Sequence, residues 1–279
     1  MSLKNLIPFF ALAYFISWLI WLPLYMPHFD VHGLPVLPFH HAFGALGPMI
    51  AAFIITYYER RTKGLKDLAM AMMKANSAVL LLVAFVAPFV LLLIAATIDS
   101  YQSHTPLNLS MIGRTKEFPH FNFLSFFLYS LLFFGFGEET GWKGYALPKL
   151  QTRYSALTSA IIFTFFWAIW HVPLFFYRPG YTSMGMAGMA GWFFSLLTGS
   201  ILLTWLFNAS KGSILVCAVF HATIDMVFIS DFVGSNTITY LGILVTIWGI
   251  LMIPVLIAKN KRRVDNGPKD NIRGQHYVK

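Results

Sequence analysis

The chain has 279 residues, of which 57% are hydrophobic and only 11% charged, with a mean hydropathy of +0.66 and a net charge of +9. Soluble domains carry about 25% charged residues, so this composition excludes a chain whose whole surface faces water. The positive excess fits membrane topology and anionic lipid rather than a nucleic-acid partner. Cys217, the single cysteine, lies in an apolar run, can form no intramolecular disulfide and reads as a small hydrophobe.

Eight apolar runs follow along the chain, at about 6–26, 38–58, 76–98, 121–150, 155–177, 187–207, 213–230 and 236–258, each near the roughly 20 residues that a helix needs to cross hydrocarbon. The first lacks a small-x-small cleavage pattern after a short apolar region and reads as a retained span. The fourth is apolar at its start and amphipathic later. No internal repeat and no soluble domain stand out. The expectation is an all-α polytopic membrane protein with about eight transmembrane helices: one domain over 1–258, then a basic tail over 259–279 that reads as a disordered juxtamembrane segment.

Lysine and arginine placement sets the expected orientation, because positive loops stay on the cytoplasmic side. With a cytoplasmic N-terminus, 17 of the 20 Lys and Arg residues fall inside, and only Arg114, Lys116 and Arg178 fall outside. Both termini are then cytoplasmic. The expected location is a cell membrane, taken as a bacterial plasma membrane.

Ionisable groups within membrane segments are costly and persist where they pair or do chemistry. Glu138 and Glu139 close a long apolar stretch, and His171 and His221 lie inside later ones. Counting back to Glu138 or forward to His171 from the reversal near Tyr154 and Ser155 gives similar lengths, so an antiparallel helix pair places both at one height. His221 lies about ten residues, or roughly 15 Å, beyond the reversal near Lys211. The three segments are expected to converge in the cytoplasmic half, with the site open to the cytoplasm.

Helical spacing separates the tasks of the two acids, which point about 100° apart. Glu139 has Lys143 four residues on, in the favourable order for an ion pair, and is expected to play a supporting role. Glu138 has Trp142 at that offset and is assigned to the cavity. His221 and Asp225, also four apart, share a helix face.

These residues carry a resemblance. Glu138-Glu139-Thr140-Gly141-Trp142-Lys143 resembles the EExxxR motif of the CPBP family, which comprises CAAX proteases and bacteriocin-processing (Abi) proteins. Trp167 to His171 resembles its FxxxH motif, and His221 to Asp225 its HxxxN or HxxxD motif. Each motif alone is weak, but the ordered set over about 121–230, in an eight-span frame, is specific. Lys143 replaces the usual arginine and loses its bidentate fork; Trp167 replaces phenylalanine.

The resemblance implies a glutamate-dependent intramembrane endopeptidase without a metal or other cofactor. Glu138 and His171 would activate water, His221 and Asp225 would stabilise the oxyanion, and Glu139, Lys143, Trp142 and Trp167 would support them. An apolar setting makes a carboxylate a better base, and a donor aimed at developing charge is worth more in a low-dielectric cavity. The implied partners are membrane lipids and a peptide or lipid-modified protein substrate.

Other readings use the same residues. Glu138, His171 and His221 could ligate a divalent metal in a metalloprotease, or the polar cavity could serve a non-catalytic immunity protein, peptide-binding protein or transporter. His171 precedes Pro173 and could instead satisfy a carbonyl freed at a kink. His28, Asp30, His32, His40 and His41 cluster in the first outer loop, where a proline-rich interfacial loop accounts for them more simply than a metal. Asn108-Leu109-Ser110 matches a glycosylation sequon. No Gly-x-Ser-x-Gly or HExxH signature occurs.

Overall fold

The computed structural model describes residues 3–107, 111–230 and 235–265, so the Asn108-Leu109-Ser110 sequon lies outside the described residues. Every regular element among them is helical: α1 (Leu6–Tyr25), α2 (His40–Ala45), α3 (Gly47–Met72), α4 (Ala78–Ser103), α5 (Phe123–Ser130), α6 (Gly137–Gly141), α7 (Leu147–Leu150), α8 (Ala156–Trp170), α9 (Met186–Ala209), α10 (Ile214–Phe228) and α11 (Ser235–Asp265). The protein is an all-α, multi-pass membrane protein. Among the described residues, six helical stretches are long and apolar enough to cross a membrane: Leu3–Phe29, His40–Met72, Ala78–Ser103, Ala156–Phe176, Met186–Ala209 and Asn236–Ala258.

The two remaining expected spans have a different build. The fourth consists of α5, α6 and α7 joined by two π-helical segments, Leu131–Phe136 and Trp142–Ala146. The seventh is α10, a shorter apolar helix. Serine side chains cap three helix starts: Ser77, Ser155 and Ser213 accept from the backbone N–H of Leu80, Thr158 and Val216. Exposed apolar side chains such as Ile7, Phe15, Val79 and Leu82 coat the outside, as lipid requires of a structure whose backbone bonds are satisfied within its helices.

Two boundaries differ from the sequence expectation. The segment between the second and third expected runs is largely the second half of α3, which ends at Met72 and is reached through a kink at Arg61, whose φ of 53° and ψ of −150° are non-helical. No Gly or Pro marks that break, because the left-handed residue is an arginine. Beyond it, Gly64 and Leu68 are buried and the charged side chains face out, so the turn continues as an amphipathic helix. At the other extreme, α11 continues beyond 258 to Asp265.

The helices define two ends. At one, Lys74 donates from Nζ to the Lys211 carbonyl at 2.6 Å, Ser213 donates to the Lys74 carbonyl, and Glu59 accepts from Asn5 at 2.8 Å and Lys149 at 2.5 Å. At the other, Arg178 grips Glu117 with two bonds of 2.6 and 2.7 Å, Thr237 bonds Asp99 at 2.6 Å, and Phe39 packs on Phe118 and Phe121.

Glycine lets the fourth span lie in the middle of the bundle. A Cβ on Gly135 would sit 2.5 Å from the Ala218 carbonyl of α10, and one on Gly141 would sit 2.5 Å from the Pro48 carbonyl of α3. Close approach of backbones through small residues is how membrane helices gain packing energy. Here it presses the Glu138–Glu139 turn between α3 and α10.

Candidate active site

Glu138 and Glu139 occupy α6, the short α-helical turn between the two π segments. π-bulges recur at functional sites because the wider turn redirects side chains. Both acids are buried, at 4% and 0% exposure. Glu138 Oε2 accepts two indole N–H bonds, from Trp142 at 3.2 Å and Trp167 at 3.0 Å. That oxygen is thereby fixed, and Oε1 is turned toward His221.

His221 lies at the centre. Its Nδ1 is 2.7 Å from Glu139 Oε1, its Nε2 is 3.8 Å from Glu138 Oε1 and 3.6 Å from Asp225 Oδ2. The first is a hydrogen bond, in which Nδ1–H donates to the carboxylate. The other two exceed direct hydrogen-bond reach and fall within the span of one bridging water. Asp225 is the open member, its side chain 34% exposed.

His171 caps α8 and donates from Nδ1 to the Trp167 carbonyl at 2.7 Å, which leaves Nε2 as its free nitrogen. Its ring packs against Trp170, Tyr181 and Trp192. A relay fixes its position: Trp170 Nε1 donates to Ser17 Oγ at 2.7 Å, and Ser17 donates to the Gly44 carbonyl at 2.7 Å. Tyr181 has its phenol pushed up to about 12 by burial, so it keeps its proton beside this ring.

Trp167 joins the two halves of the site. Its indole holds Glu138 and its carbonyl holds His171. Phenylalanine, usual at this motif position, supplies the same wall without the N–H. We expect Trp167→Phe to fold normally and to lower kcat about tenfold, the loss of one hydrogen bond worth about 1.4 kcal/mol; steady-state kinetics of the purified variant would check this.

Two assignments made from spacing gain detail from the geometry. Lys143 is completely buried, and its Nζ pairs with Glu139 Oε2 across 4.0 Å without a hydrogen bond. It also sits 4.1 Å above the Phe163 ring, a cation–π contact. Lys143 lies in the Trp142–Ala146 π segment. Glu139 is at the same time the hydrogen-bond partner of His221, inside the site. Trp142, expected among the supporting residues, is a hydrogen-bond donor to Glu138.

Among the described residues, no three His, Cys, Asp or Glu side chains are arranged to hold a metal ion. The outer-loop histidines have other partners. His40 accepts from the Leu37 N–H and donates to the Ile20 carbonyl, His41 pairs with the Tyr177 hydroxyl at 2.7 Å, and His28 packs on Phe29 and Phe176. A cavity of about 210 Å³ near Glu59, Arg60 and Lys149 includes none of the five central residues Glu138, Glu139, His171, His221 and Asp225.

Residues 120–227, which contain all of these groups, match the model of the family described as type II CAAX prenyl endopeptidase Rce1-like. Over these residues the chain is similar to the Rce1-like family. The chain is also similar to CAAX prenyl protease 2 of Methanococcus maripaludis, with 46% identity over 54 residues, 19% of this chain and 20% of the relative. The shared stretch thus spans about a fifth of that relative's length. The Rce1-like segment begins in the approach to α5 and ends within α10, so it covers the site but leaves α1 to α4 and α11 outside the match.

Proposed function

We propose that the protein is a metal-independent intramembrane endopeptidase that hydrolyses a peptide bond in a membrane-associated peptide or protein, of the CAAX-processing type. The observation that carries this reading is a buried glutamate with one oxygen tied down by two indoles and the other facing an imidazole across the width of a water.

In this reading a water between Glu138 Oε1 and His221 Nε2 gives a proton to Glu138 while its oxygen attacks the scissile carbonyl carbon. His171 Nε2 assists from the α8 side. The carbonyl oxygen becomes an oxyanion that accepts from His221 Nε2–H. Glu139 holds that ring through Nδ1, and Asp225 Oδ2 lies 3.6 Å from Nε2, where it offers an acceptor. Collapse breaks the C–N bond, and the proton taken up by Glu138 passes to the leaving amine. An aromatic surround and near-complete burial keep the surrounding dielectric low, where such aimed dipoles count most.

The test is purification in detergent followed by incubation with farnesylated and unmodified peptides, with products read by mass. Cleavage at a single internal bond that persists in excess chelator is expected. Cleavage abolished by chelator and restored by a divalent ion would replace this reading with a metalloprotease; absence of cleavage across the panel would favour a non-catalytic role.

A further inference from the structure

We propose that the cavity between the second half of α3 and α7, at the end of the bundle that holds Lys74, Lys149 and Lys211, binds one phospholipid headgroup carrying both a phosphate and a primary ammonium, of the phosphatidylethanolamine type. The proposal stands apart from the hydrolytic reading, since none of the five central residues of the candidate active site lines this cavity.

The backbone makes the cavity. α3 leaves helical geometry at Arg61, whose φ of 53° and ψ of −150° lie where glycine is the usual occupant, and the chain then folds back with Gly64 and Leu68 turned inward. Gly64 permits this approach: a Cβ there would lie 2.6 Å from Arg60 Cβ and 2.8 Å from Thr56 Cγ2. The kink thereby sets Glu59 and Arg60, from before it, beside Asp67, from beyond it. Tyr145 and Lys149 of the fourth span close the opposite side. The space enclosed is about 210 Å³, below the roughly 300–1,000 Å³ of ordinary ligand pockets, which suits a headgroup better than a whole small molecule.

Charge chooses the ligand. Lys149 and Glu59 form the floor, paired at 2.5 Å, with Asn5 and Tyr145 also donating to Glu59 at 2.8 and 3.1 Å. Arg60 and Asp67 form a second pair at the mouth. A simple anion at Arg60 would displace Asp67, and a simple cation at Asp67 would displace Arg60, so either exchanges one ion pair for another. A headgroup with both charges on a short link matches the two side chains together: its phosphate oxygens accept from the Arg60 fork, and its ammonium donates to the Asp67 carboxylate. One ion pair becomes two, both with charge-assisted hydrogen bonds. The quaternary ammonium of a choline headgroup has no N–H for Asp67 and favours aromatic faces; the Tyr145 face is already taken by Lys149 Nζ, 4.6 Å from the ring centroid.

The position is that of a lipid headgroup. Tyr57 and Tyr58, just before the kink, are 48% and 73% exposed, as in the aromatic belt at a membrane–water interface. Lys63 and Lys66 are exposed on the outer side of the same amphipathic half, the build of a helix lying in the headgroup layer. Leu68, Ala71 and Phe207 supply apolar wall beside the charged pairs, and the acyl chains of the lipid continue from there into hydrocarbon.

The experiment uses the full chain, purified and delipidated in detergent, with lipid binding titrated by native mass spectrometry. Wild type is expected to bind one phosphatidylethanolamine about tenfold more tightly than phosphatidylcholine or phosphatidylglycerol with the same acyl chains. Arg60→Gln and Asp67→Asn are each expected to lower that affinity about tenfold, the scale of one charge-assisted bond. Lys66→Gln, which removes a positive charge from the same half of α3 but outside the cavity, is expected to leave it unchanged. The Arg60 and Asp67 side chains are 38% and 40% exposed, so neither replacement strands a buried charge, and an unaltered circular dichroism spectrum verifies the fold. Equal affinity for the three lipids, or an equal loss in Lys66→Gln, overturns the proposal in favour of a diffuse lipid shell. Tightest binding of phosphatidylglycerol overturns it in favour of an anion site, and O-phosphoethanolamine bound as tightly as the lipid overturns it in favour of a soluble ligand. A protein that cleaves no peptide yet shows the expected lipid preference would end the hydrolytic reading and leave the headgroup site standing.

Discussion

Glu138→Gln is expected to reduce peptide-bond hydrolysis at least about 10³-fold while the protein remains folded, the scale set by the loss of a positioned general base. Glutamine has nearly the same shape, so Oε1 can still accept from the Trp142 and Trp167 indoles. Its other terminus is then an amide N–H₂ directed at His221 Nε2. That group can neither take a proton from water nor accept from it, so water would be bound the wrong way round. The kinetic signature is a fall in kcat with KM nearly unchanged, because the carboxylate acts on the reacting atoms and not on the remote parts of the peptide. Residual cleavage equal to wild type would remove Glu138 from its assigned place and leave the indole pair as mere packing.

His221→Ala is expected to be more damaging, because it affects both chemistry and folding. The ring is the shared neighbour of three carboxylates, at 2.7 Å from Glu139, 3.6 Å from Asp225 and 3.8 Å from Glu138. Removing one partner from a buried charge network leaves the others uncompensated, at a cost of about 3–5 kcal/mol. A thermal-unfolding scan in detergent should show a lowered midpoint, and activity should fall below detection. His221→Gln, whose amide can still donate to Glu139, is expected to recover part of the stability and none of the turnover. Recovery of both would reduce the imidazole to a spacer.

Much of the architecture could be read in advance from hydropathy. All eight apolar runs are helical, because a chain crossing lipid has few ways to satisfy its backbone. The grouping of Glu138, His221 and Asp225 was also accessible, since intramembrane ionisable residues rarely stand alone. The internal arrangement of the site was less legible. Spacing at i, i+4 paired Glu139 with Lys143, and that pair is present at 4.0 Å, but the bond of Glu139 to His221 and the seat of Lys143 over Phe163 left no mark in the spacing. Trp142 and Trp167 were given only supporting places, and their donation to Glu138 depends on rotamers that no one-dimensional pattern encodes. Gly135, Gly137 and Gly141 carried a usable signal, small residues spaced for close helix contact, that would have placed the fourth span in the bundle's interior. At Arg61 the chain turns through a left-handed residue that composition gave no reason to suspect.

The paired π segments around the two acids have one last implication. A π turn accommodates a residue more than the α turn it replaces, so each is equivalent to a tolerated insertion in a helix whose two outer portions stay in register with their neighbours. The Glu138–Glu139 turn can thus be rotated about the helix axis independently of the anchoring ends. A scaffold with such slack can re-aim its acid by gaining or losing single residues while the rest of the bundle keeps its contacts.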